Sequence, residues 1–364
     1  MPNTVLRHMV AALWVGAVAA FAAPASSSAQ EVTLRMEHFL PAQANVPKLI
    51  LEPWAKAVEE ESSGRIAIEI YPSMQLGGTP PELINQTRDG VIDISWYVVG
   101  YKPGLFPRTE VFEQPFIMKN AEATSRAFWR LFEKEMRDTE FKDFKVLATW
   151  VHGPGLFHTD EPIQSVEDLN GMKIRGGSRS VNALLTELGA EPVGMPAPSV
   201  PEALSKGVID GAAVPWDVVP SIKVAELIGN HTEFGTPALY TLTFVLVMNK
   251  DRYESLPDDL KDVIDANSGI ELSGFAGRTQ AASDAPARQA AKERGNTVTV
   301  LEGEALQGFK DAAEPVIDAW VADIDSKGLD GAALLDEAET LIDEENEWLE
   351  AGNVSSGPLE STAD

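Results

Sequence analysis

The chain has 364 residues, no cysteine, and 56 acidic side chains against 29 lysines and arginines, for a formal net charge of −27. So acidic a surface repels nucleic acid and anionic lipid head groups, which argues against both as partners. The missing cysteines exclude a disulfide framework, a thiolate metal site, a lipid-anchored cysteine and cysteine catalysis.

Residues 1–29 read as a secretory signal peptide: Arg7 and His8, an apolar run from Met9 to Ala23, then small residues up to Ala29, with cleavage before Gln30. No later run is long enough to cross a bilayer, so the mature chain is expected to be a soluble protein of a bacterial periplasm, with no membrane insertion. About 335 residues remain, more than one ordinary core, which points to two lobes.

Glu31 to Phe39 alternates apolar and polar as a half-buried strand, and His38 and Phe39 open the loop at its end. Val46, Leu49, Ile50, Trp54 and Ala57 recur at helical spacing until Ser63-Gly64. Ile66, Ile68 and Ile70 mark a second strand, Thr79 and Glu82 a capping box, and Val91 to Val98 a third strand containing Trp96. Strands that alternate with helices predict an α/β fold with mostly parallel sheets covered on both faces. Lys145 to His152, carrying Trp150, is a further strand that runs into Gly153-Pro154-Gly155.

The stretch from Leu169 to Asp217 says most about function. Met172 to Arg175 is a short strand, Ser178 or a neighbouring glycine caps the next helix, Val181, Leu184, Leu185 and Leu188 form its buried face, and Gly189 ends it. Ser199 and Glu202 are spaced as a capping box around Pro201, and Val208-Ile209 leads through Asp210-Gly211 to Pro215-Trp216. Arg175 therefore stands where strand becomes loop, in a βαβ-like unit whose strand ends face a cleft. A guanidinium there offers two parallel donors to a carboxylate and never loses its charge.

Leu242 to Met248, with Phe244, is the next strand, and a helix-permissive stretch runs from Asp258 to about Arg294. Thr297 to Val300 is a short strand, Phe309, Val316 and Trp320 belong to a helical stripe that Pro315 could kink, and residues 351–364 read as a flexible tail.

The ordered set SSGRIAIEIYPSMQLGG, DGVIDISW, EQPF, LNGMKIRGG, EALSKGVIDG and VLVMNKDRYESLPDDLKDVI resembles the solute-binding proteins of tripartite ATP-independent periplasmic (TRAP) transporters. The resemblance implies a two-lobed periplasmic binding protein that closes on a small organic acid and hands it to membrane subunits driven by an ion gradient. It places lobe I at 31–151 with about 241–275, lobe II at 152–240 with about 276–350, and a long helix bracing both. The family's carboxylate-binding arginine lies in a G-x-K-x-R segment, here Gly171 to Arg175, which implies Arg175 as the anchor. Val214 stands where the family often has a ligand-touching asparagine, so a pocket more apolar than that of sugar-acid binders is expected.

The candidate ligand contacts are Arg175, the aromatics Phe39, Trp96, Trp150, Trp216 and Phe244, the histidines His38 and His152, Asp217, and Arg179 at a helix start. Arg179 reads equally as a surface arginine, and Asp217 as a helix cap. An arginine among aromatics suits a monocarboxylate with an aromatic or apolar body, or a zwitterion whose onium group is caged by rings. No cofactor, no metal and a monomer are expected. The chain lacks a G-x-S-x-G elbow, an H-E-x-x-H helix and a P-loop, so an exported hydrolase or lyase is the alternative from another class. A receptor that presents its ligand to a sensor kinase is a third possibility.

Overall fold

The computed structural model describes residues 30–358, so the expected signal peptide lies outside the described residues. In chain order the strands are β1 (Val32–Glu37), β2 (Ile66–Tyr71), β3 (Ile94–Val98), β4 (Phe144–Val151), β5 (Gly155–Thr159), β6 (Lys173–Gly176), β7 (Glu191–Gly194), β8 (Gly211–Pro215), β9 (Asn230–Glu233), β10 (Thr243–Asn249) and β11 (Thr297–Val300). They form two sheets, ordered β2-β1-β3-β10-β4 and β11-β9-β5-β8-β6-β7. The chain thus leaves the first sheet after β4, builds the second, returns as β10, and crosses again before β11.

Both sheets are mixed. β1 runs parallel to β2 and β3, and β6 to β7 and β8, whereas β10 is antiparallel to β3 and β4, and β5 to β8 and β9. The antiparallel strands β5 and β10 are those that begin directly after a crossing. Every residue of β3 (ISWYV) and β10 (TFVLVMN) is buried, because the middle of a sheet covered on both faces has no solvent side to alternate with.

The helices are α1 (Glu52–Glu61), α2 (Leu83–Arg88), α3 (Ala121–Leu131), α4 (Arg179–Glu187), α5 (Val200–Ser205), α6 (Val224–Leu227), α7 (Lys250–Glu254), α8 (Asp258–Ala266), α9 (Ile270–Ala282), α10 (Asp284–Glu293), α11 (Gly303–Ser326) and α12 (Gly331–Glu350). The bracing helix expected over 258–294 is therefore three helices. Gly269, at φ 101°, separates α8 from α9, and Pro286, which has no N–H to give the Ala282 carbonyl, separates α9 from α10. The α9–α10 pair still links the lobes: α9 packs on α3 and β4, and α10 on the turn at Trp216–Val218.

Three local expectations change. Leu49 is 43% exposed because a wide π-helical turn at Pro47–Leu51 shifts the helical phase ahead of α1. Ser199 caps nothing, since a 3₁₀ turn at Ala197–Ser199 runs straight into α5 and Ser199 is already helical. The tail is anchored at least as far as Ser356. Ser355 is fully buried; its N–H donates to Glu122 Oε1 (2.6 Å), its hydroxyl accepts from Arg126 (3.1 Å), and its carbonyl accepts from Arg278 (3.0 Å). Arg126 is itself held by Glu345 (2.6 Å) and Glu271 (2.7 Å), so the tail completes a buried charge cluster rather than fraying. Ending the chain at Asn353 should lower the free energy of unfolding by about 2–4 kcal/mol, because buried charged groups lose partners. Urea unfolding of the full and shortened chains tests this, and equal midpoints would show that the segment is passive.

Candidate ligand-binding site

Between the two sheets lies a small cavity. The first lobe lines it with Phe39, Trp96 and Phe244, and the second with Arg175, Val214 and Asp217. Arg175 reaches it because β6 lies between β7 and β8, with Arg175 opposite Val193 and Ala212. Its side chain is among the largest fully buried ones. Nε donates to the Met195 carbonyl and Nη1 to the Ala213 carbonyl, both at 2.9 Å. Neither acceptor is a carboxylate, and among the described residues no acidic side chain forms an ion pair with it. Gly177 makes room for the guanidinium: a Cβ there would sit 3.1 Å from both Nη atoms and 2.7 Å from Leu242 Cδ1.

The opposite wall is a stack of rings. Trp96 lies 4.6 Å from Phe39 at 28°, 5.7 Å from Phe244 at 30°, and 6.4 Å from Trp150 at 12°. Register builds the stack, since Phe244 of β10 stands opposite Trp150 of β4. Trp150 does not line the cavity itself. Its Nε1 donates to Gln280 Oε1 (2.8 Å), which fixes the amide so that Gln280 Nε2 donates to Asp217 Oδ2 (3.0 Å).

Burial holds the site's histidines neutral. His152 lines the cavity with its pKa pushed down to about 4, and its Nε2 accepts from the Leu242 N–H (3.1 Å), which leaves Nδ1 as the protonated nitrogen. His38 is pushed to about 4 for the same reason and packs beside Trp96, behind the lining. Arg175 is thus the cation of the cavity.

The lobes meet around this space. The Tyr101 hydroxyl accepts from Ala197 N–H (2.9 Å), Asn45 Nδ2 donates to the Asp217 carbonyl (3.0 Å), and Arg179 Nε donates to Glu110 (3.1 Å). Gly100 packs directly on Ser178, where an added Cβ would come within 2.3 Å of the serine Cβ.

The sequence pattern of the bacterial extracellular solute-binding proteins, family 7, matches residues 36–323. The chain belongs to this family. Among solved structures it resembles a TRAP solute-binding protein of Rhodoferax ferrireducens with copurified benzoate, at 51% identity and TM-score 0.85 over 87% of this chain and 99% of that one. A marine metagenome TRAP solute-binding protein specific for aromatic acids, holding 3-hydroxybenzoate, is 47% identical with TM-score 0.85 over 87% and 99%. One from Bordetella bronchiseptica with bound mandelate is 29% identical with TM-score 0.79 over 86% and 99%. The chain is accordingly a TRAP-type solute receptor and not an enzyme, and its family works with membrane subunits.

In this solute-binding protein the expected contacts divide. Arg175, Phe39, Trp96, Phe244, His152 and Asp217 converge on one cavity, whereas Trp150 and His38 stand behind it. Trp216 faces away: it opens the 3₁₀ turn Trp216–Val218 that follows β8, and there its Nε1 donates to Glu233 (2.7 Å) and its ring meets His158 edge-on at 5.3 Å. Arg179 is not a second anion contact either, because Glu110 and Asp323 already claim its guanidinium. Tyr101 and Gln280 line the cavity and were missed. Tyr101 lies in a short 3₁₀ turn with no sequence signature, and Gln280 in a helix assigned to bracing.

Gly177→Ala should cost about 1–3 kcal/mol of stability through overpacking against Leu242 and Arg175, read as a lower midpoint of thermal unfolding. Glu113, buried beneath the site, accepts from the N–H (3.0 Å) and hydroxyl (2.7 Å) of Thr243, and burial pushes its pKa up to about 7 from 4.5. A raised carboxyl holds its proton better when folded, so its contribution is full below about pH 4.5 and is lost as pH rises toward 7. Glu113→Gln should therefore gain stability relative to the wild type across that window, by up to about 3 kcal/mol. A flat difference between the two unfolding curves from pH 4.5 to 7 would contradict this.

Proposed function

We propose that the protein captures an aromatic monocarboxylate between its lobes, with Arg175 as the anchor, after export directed by residues 1–29. The observation that carries this is the buried Arg175 guanidinium, which two carbonyls orient and which forms no ion pair among the described residues, facing a wall of stacked rings. A buried cation left without an anion is costly, and a ligand carboxylate removes that cost while pairing through two parallel bonds. Phe39, Trp96 and Phe244 offer flat faces to an aromatic body, and Val214 keeps the neighbouring wall apolar. The benzoate, 3-hydroxybenzoate and mandelate held by the similar receptors support the same ligand class.

Closure then works as an equilibrium. The open lobes admit the acid, Arg175 binds it, and the contacts of Tyr101, Asn45 and Arg179 across the cleft form as the lobes meet. Ligand favours closure only by binding the closed form better than the open one. We assign the hinge to the three chain crossings, after Val151, before Thr243 and at Ser283, and the closed face to recognition by the membrane subunits.

Arg175→Ala should lose about 3–5 kcal/mol of binding free energy for benzoate. Arg175→Lys should also bind poorly, because it keeps the charge and loses the fork. Titration calorimetry on the mature chain reads both, and unchanged affinity in the two variants would end the anchor assignment.

A further inference from the structure

We infer that Asp217 accepts a hydrogen bond from a hydroxyl carried on the ligand away from its carboxylate, so that the cargo is a hydroxylated aromatic monocarboxylate. This rests on the reading of Arg175 as the carboxylate anchor and adds a second point of recognition in the same cavity.

Arg175 and Asp217 line one cavity with opposite charges, yet among the described residues they form no ion pair with each other. Each is held by its own bonds. Arg175 is tied to the Met195 and Ala213 carbonyls. Asp217 is tied through its N–H to Asp284 Oδ1 (2.9 Å), through its carbonyl to Asn45 (3.0 Å), and through Oδ2 to Gln280 (3.0 Å). Asp217 Oδ1 is left over: the residue is 2% exposed and this oxygen has no partner among the described residues. Gln280 cannot turn to serve it differently, because Trp150 Nε1 can only donate and so keeps the amide oxygen on its own side.

Among the described residues, Trp96 Nε1 in the cavity wall also lacks a partner, but an indole N–H can only donate. The Tyr101 hydroxyl takes the Ala197 N–H, and His152 Nε2 takes the Leu242 N–H. What remains for an occupant is donors at Arg175 and Trp96 and, among these side chains, an acceptor at Asp217. A bare benzoate answers only the first and leaves a carboxylate oxygen buried and unpaired, which costs binding. A hydroxylated acid answers both. Burial raises the proton affinity of Asp217, which favours a hydroxyl over an ammonium, since a hydroxyl can bond to the carboxyl in either ionisation state.

The test is titration calorimetry of the mature chain at about pH 8, above the carboxylate range and below phenol ionisation. The probes are benzoate, the three hydroxybenzoates, their methoxy analogues, and 3-(aminomethyl)benzoate. At least one hydroxybenzoate should bind about tenfold tighter than benzoate, and its methoxy analogue more weakly than benzoate. In Asp217→Asn, Gln280 still claims the side-chain oxygen and the new amide presents N–H to the cavity, so the preference for hydroxyl over methoxyl should shrink about tenfold. The wild-type ranking needs no variant, and thermal unfolding checks that Asp217→Asn is folded. Benzoate binding with no gain from any hydroxyl, a preference that survives in Asp217→Asn, or tightest binding by the aminomethyl probe would each overturn the inference while leaving Arg175 in place. Failure of every aromatic acid to bind would remove the anchor reading and this inference together.

Discussion

A guanidinium buried between two lobes, with no ion pair among the described residues, is the constraint on which the rest of this molecule turns. Fully desolvating a cation is expensive, and the two backbone carbonyls that orient Arg175 supply partial charges rather than a full counterion. The surroundings are arranged for it. Gly177 leaves space beside the Nη atoms, the short strand β6 sets its direction, and the neutral imidazole of His152 adds no competing positive charge. In a chain of net charge −27, a buried arginine with no ion pair among the described residues is a specific placement and not a default.

The aromatic wall works with that charge. Rings and aliphatic side chains exclude water, and in a site of low polarity a charge-assisted pair at Arg175 gains strength that it would lack at the surface. The same dryness explains the shifted titrations nearby, where burial lowers the histidines His38 and His152 and raises the carboxyls Glu113, Asp217 and Asp284. The two sets pull stability in opposite directions with pH. Their effects partly cancel between the ordinary carboxylate and histidine ranges.

Much of this was legible in the sequence where local rules decide. Arg175 at a strand end, the Ser178 cap, the buried face of α4 and the rings of Trp96 and Phe244 follow from periodicity and capping chemistry. What was not legible depends on partners far apart in the chain. Arg179 is claimed by Glu110, 69 residues away, and Trp216 is held away from the cavity by its bond to Glu233, 17 residues on. Gln280 became part of the site only through Trp150, 130 residues earlier. The break between α9 and α10 was readable in principle, since Pro286 announces it.

The contacts across the cleft made by Asn45 and Arg179 come from side chains outside the cavity lining. Changes at Arg179 or Asn45 would shift how readily the lobes shut by a similar amount for every cargo, whereas changes at Asp217 or Phe244 would alter the ratio between cargoes. Affinity and selectivity therefore sit largely on separate residues. A lineage facing scarcer nutrients could tighten its grip without changing its diet, or change its diet without loosening its grip.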